Sequence, residues 1–170
     1  MTTAVDILRS WHGPRAMVRK QLGRATEGRA LAFLMGALVL VFVAQWPRLA
    51  RAAELDPSIP FDARAGGALV GIVFFMPLVF YGLAALSHLV ARAMGGQGSW
   101  QGARVALFWS LLATSPLFLL DGLVGGIIGP GPQQTLTGVL VAAGFLGHWG
   151  LALVEAETSR PSNKDTGSGV

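Results

Sequence analysis

Residues able to do chemistry are few in this chain and lie far apart. His88 and Arg92 stand four positions apart, a spacing that puts both on one face of a helix. Such a pair could serve as a proton or anion site; the plainer reading is an arginine reaching lipid headgroups beside a locally bonded histidine. Asp121 is the only acid between Asp62 and Glu155. An isolated carboxylate in apolar surroundings suits a transport pathway, whereas one at the end of a span needs no function. His148 adjoins Trp149, a pairing typical of a membrane interface. Glu155 and Glu157 have no partner nearby in the chain and read as a solvated helix end.

Three histidines without an i, i+4 pairing among them do not make a metal site. The absence of cysteine removes thiolate ligands, disulfides and thiol redox chemistry. Gly95-Gly96-Gln97-Gly98 suggests a phosphate cradle, but neither the preceding strand nor the lysine and hydroxyl of a phosphate loop is present. No triad order, nucleophile elbow or paired carboxylate occurs. The chain is therefore expected not to be an enzyme and to need no cofactor.

The elements that position these residues are apolar. Hydrophobic residues make up 52% of the 170 and charged residues 13%, about half the usual charged share of a soluble domain, roughly 25%. Mean hydropathy is +0.55. Four segments approach the roughly 20 apolar residues needed to cross a bilayer: 30–46, 66–90, 105–120 and 135–154. The first should stop at Pro47 and act as an uncleaved signal anchor. The expected fold is an all-α integral membrane protein, a four-span helical bundle. It becomes five-span if residues 121–134 or the N-terminal arm insert.

Charge sets the orientation. Arg9, Arg15, Arg19, Lys20, Arg24, Arg29, Arg92, Arg104, Arg160 and Lys164 fall on one side, and Arg48, Arg51 and Arg64 on the other. The bias puts the N-terminus in the cytoplasm of a bacterial inner membrane, with Arg92 and Arg104 as topology anchors. It also accounts for the net charge of +4 without nucleic acid as a partner. Residues 1–29 form a basic amphipathic arm suited to the headgroup layer, residues 30–157 the membrane domain, and residues 158–170 a disordered polar tail.

Inside the bundle, Pro77 and Pro116 each remove a helix donor and should kink their spans, freeing the carbonyls of Val73 and Leu112. Ser110, Thr114 and Ser115 can supply hydroxyls at the second break. Gly122 with Gly126, and Gly125 with Gly129, have the spacing that lets helices approach closely. Gly67 with Gly71, and Ala143 with Gly147, have it too. In the turn after the second span, the glycines permit a sharp reversal. Ser99 should cap the next helix and Trp100 anchor at the interface.

The order His88-Leu89, Gly95-Gly96-Gln97-Gly98-Ser99-Trp100, Ala103-Arg104, followed by an aromatic-rich helix to Pro116, resembles bacterial members of the Yip (Ypt/Rab-interacting protein) membrane family. The arm and the Trp149–Glu157 segment are similar to short alphaproteobacterial members. The resemblance implies a helical multi-span domain, usually of five spans, and carries no catalytic residue. It points to a non-enzymatic protein acting by helix packing with itself or with partner membrane proteins, in the lipid bilayer. The alternative is a small oligomeric transporter or channel using Asp121, His88 and the Pro77 and Pro116 kinks.

Overall fold

A computed structural model describes residues 6–7, 14–23 and 26–158, and is helical throughout its regular segments, with no strand among the described residues. The helices are α1 Pro14–Leu22, α2 Glu27–Leu55, α3 Phe61–Val70, α4 Met76–Ala93, α5 Trp100–Ala113, α6 Ser115–Ile127 and α7 Pro132–Thr158. A π turn, Gly71–Phe75, joins α3 to α4 in one stretch of 33 residues. Three stretches are long and apolar enough to cross a membrane: α2, the α3–α4 rod and α7, with mean hydropathies of 2.0, 2.4 and 1.6. The bent pair α5–α6 makes a fourth if its two limbs form one span. Residues 121–127 belong to the second limb of that pair, Ser115–Ile127, and α1 has 9 residues. Among the described residues, neither of the regions suggested for a fifth span adds another helix of crossing length.

Two boundaries differ from expectation. The first apolar segment does not stop at Pro47, because α2 continues to Leu55. Pro47 lies inside α2 and packs against Gly126, where any side chain would collide with it. The third segment breaks at Thr114, and its limbs meet at 44°. Thr114 Oγ1 donates to the Ser110 carbonyl at 2.8 Å, and Ser115 Oγ donates to Leu112 at 2.8 Å. Leu112 is the residue whose carbonyl Pro116 deprives of its helical donor, so the hydroxyl restores the pairing that a buried carbonyl requires. At Pro77 the adjustment takes the form of the π turn just before it, where the Met76 N–H reaches back to Gly71.

The centre of the molecule is α5. Every residue from Val105 to Ala113 is buried, consistent with a helix apolar on all sides. The Phe33 and Trp109 rings meet edge to face at 5.1 Å, as do Tyr81 and Phe108 at 5.0 Å. The described part of the N-terminal arm departs from its expected place. Met17, Val18 and Gln21 of α1 are buried, and α1 packs on α7 and α5 rather than presenting its apolar face to lipid. The tail beyond Thr158 lies outside the described residues.

Candidate functional site at the end of the last helix

The α4–α5 turn is built from residues with little choice of conformation. Gly95 has φ +94°, a left-handed value that favours glycine. Its N–H closes on Arg92 and that of Gly96 on Ala91, ending α4. Ser99 then starts α5 as expected, its Oγ accepting the Gly102 N–H at 3.0 Å.

Into this turn comes the last turn of α7. The Gln97 N–H donates to the Glu157 carbonyl at 3.0 Å, and the Gly98 N–H to Glu157 Oε2 at 3.1 Å. The other carboxylate oxygen, Oε1, lies 2.7 Å from His88 Nδ1. Both side chains are inside the protein, with 1% of His88 and 6% of Glu157 exposed. A Cβ at Gly96 would lie 2.7 Å from Glu157 Oε2, and one at Gly98 2.8 Å from it. The glycines therefore do more than turn the chain: the carboxylate fills space that side chains would otherwise occupy. Trp100 closes the outer side, its ring 4.5 Å from the imidazole, and remains partly exposed.

Glu155, two residues earlier, points in another direction, as an i, i+2 spacing on a helix requires. Its Oε1 accepts from Arg19 Nε of α1 at 2.8 Å. The Arg19 guanidinium is held above its ordinary value by this hydrogen bond and by the carboxylate charge. The expectation of a solvated helix end is thus overturned. Glu155 and Glu157 are buried and tie α7 to α1 and to the glycine turn respectively.

Beside the turn lies a groove of about 810 Å³ between α4 and α7. Its walls are mostly apolar, including Leu86, Val90, Trp149 and Leu153, while Ser87, Gln97 and Glu157 provide polar atoms.

The remaining expected site residues are elsewhere. Arg92 is exposed. Arg104 pairs with Glu27 at 2.7 Å and lies over the Tyr81 ring at 5.5 Å, joining α5 to α2 and α4. Asp121 binds Arg48 Nη2 at 2.5 Å through Oδ2 and accepts from Thr137 Oγ1 at 2.7 Å through Oδ1. Thr137 and Glu157 stand twenty residues apart on α7, about 30 Å along the helix. His88 and Asp121 therefore occupy opposite ends of the bundle. His148 is buried in the bundle, and the Trp149 ring stacks on Phe145 at 5.9 Å. Among the described residues no cluster of three or more His, Asp or Glu could hold a metal.

The chain matches no family model, no curated protein and no solved structure in comparisons with each.

Proposed function

We propose that this is a non-enzymatic polytopic membrane protein that acts by packing against other membrane helices, its own copies or partners, to organise a membrane complex. The observation that carries this reading is the α3–α4 rod. Only 6% of its most apolar stretch is buried by the rest of the chain, against 33% for α2. Gly67 and Gly71 lie on the rod with nothing within 4 Å of where their side chains would be. A small-residue face left open inside a bilayer allows the backbone of another helix to approach closely.

The same reading takes the fold as four spans, with α5–α6 as one bent span, both termini cytoplasmic, and the bacterial inner membrane as the location. The Yip-like order around the glycine turn is part of the proposal and supports a packing role rather than a chemical one. The transport alternative has weaker support. A pathway through His88 and Asp121 would have to join opposite ends of α7, each residue being engaged by structural partners.

The test is affinity purification of the tagged full chain from native membranes. Recovery of an untagged second copy or of another integral membrane protein in fixed proportion supports the proposal. Recovery of the chain alone, under conditions that preserve known membrane complexes, overturns it.

A further inference from the structure

We infer that Glu157 is an acid-released latch: when His88 and Glu157 are both protonated, the last turn of α7 leaves the glycine turn and the α4–α7 groove widens. This inference is independent of the packing proposal. The latch holds with one proton or with none on the pair beyond the neutral imidazole. A neutral His88 with its proton on Nδ1 donates to the carboxylate across 2.7 Å, and a charged one does so with added Coulomb attraction. A further proton on Glu157 leaves an imidazolium, 1% exposed, facing a neutral acid. A buried charge without a counter-charge is strongly unfavourable.

Among the described residues, the surroundings offer no replacement for the lost charge. The α4–α5 turn presents the Gly98 N–H to Oε2, and α5 presents the Trp100 ring to the imidazole. On α4, Arg92 is exposed one turn beyond His88. On α7, Glu155 is engaged by Arg19 of α1. Withdrawal of Glu157 frees the Gln97 and Gly98 amides of the turn, while Glu155 keeps the preceding residues tied to Arg19 of α1. Glu157 and Thr158 border the groove together with Gly95, Gly96 and Gln97, so their movement opens it.

The test uses the full chain in lipid vesicles, with spin labels on Gln97→Cys and Thr158→Cys; the protein has no native cysteine to interfere. Distances are read from about pH 8 to about pH 4, which spans the ordinary histidine and glutamate ranges. The expected result is one short distance at neutral pH that lengthens in acid by about 5 Å, the rise of one helical turn. Glu157→Gln should open at higher pH than wild type, because a charged His88 then has no carboxylate. The double variant His88→Asn/Glu157→Gln should hold one distance throughout. Glu155→Gln should keep the wild-type response, which separates this latch from the Arg19 pair if the double variant does not fold. A wild-type distance that is constant with pH overturns the inference. So does a response abolished by Glu155→Gln, or one retained in the folded double variant.

Discussion

The carbonyl oxygen of Ala44 lies where a side chain on Gly122 would have to be. This contact is the first of a series between α2 and α6. Gly125 faces the Arg48 side chain, Gly126 faces Pro47, and Gly129, with φ +90°, faces the Arg51 guanidinium. Arg51 Nη1 donates to the Gly126 and Ile127 carbonyls at 3.3 and 3.2 Å, which serves acceptors at the end of α6. Close approach of backbones is how helices gain contact energy where lipid removes the hydrophobic incentive.

Gly122→Ala should therefore destabilise the protein by at least about 1–3 kcal/mol, the range for overpacked sites. The obstacle is backbone, which cannot swing aside. Gly82→Ala provides the contrast, since nothing lies within 4 Å of its Cβ position. It should be neutral, or stabilising by up to about 1 kcal/mol through better helix propensity. Thermal unfolding in a single detergent checks both.

Glu157→Ala should lower Tm far more than Arg19→Ala. It leaves two buried donors, the Gly98 N–H and His88 Nδ1–H, without their acceptor, at about 1–3 kcal/mol each. Arg19 is 72% exposed in its side chain, so removing it uncovers no buried donor, and Glu155 retains a further interaction. Its loss should leave Tm close to wild type. Equal losses from the two substitutions would show that burial is not what gives the Glu157 pair its strength.

Local features of this fold were legible from sequence, and distant pairings were not. The Ser99 cap, the Gly95 reversal and the Ser115 hydroxyl at the Pro116 break depend on neighbours within four residues. The Gly122 and Gly126 spacing marked a packing face but could not name Ala44 and Pro47 as its partners. Glu157 was missed because His88 and Gly98 lie 69 and 59 residues away. The available clue was a buried-depth histidine with no nearby acid, opposite two acids at the end of the last span. Pro47 reads as a stop although α2 continues through it to Leu55, and its neighbour Gly126 on α6 is likewise distant in sequence.

At the far end of the bundle, Asp121→Asn should cost about 1.5–3 kcal/mol, the worth of a hydrogen bond to a charged group. Arg48 keeps its bond to the Asp121 carbonyl at 3.1 Å, which limits the damage. If reconstituted vesicles show a solute flux that this substitution abolishes without loss of Tm, the transport alternative gains over packing.

The α2–α3 connection should loosen in strong acid. Asp56 sits below its ordinary carboxylate value chiefly because the Ser58 hydroxyl and N–H donate to it, with Arg64 adding to the effect. A depressed folded value stabilises the turn above the unfolded value, about 3.9, and the benefit disappears as pH falls through the folded one. Protection of the Ser58 amide from hydrogen exchange, after correction for intrinsic rates, should persist to that range and then drop. Ser58→Ala should raise the Asp56 titration midpoint measured by NMR.

The most direct test of the packing claim is cysteine crosslinking from the rod in native membranes, with single cysteines at Gly67 and Gly71. Both positions are open in the monomer, so the substitutions leave its packing intact. The account predicts specific adducts, with a second copy or a defined membrane protein, from these positions but not from a cysteine at buried Ala106. Uniform absence of adducts along the rod, with full labelling by a lipid-soluble maleimide, would contradict it.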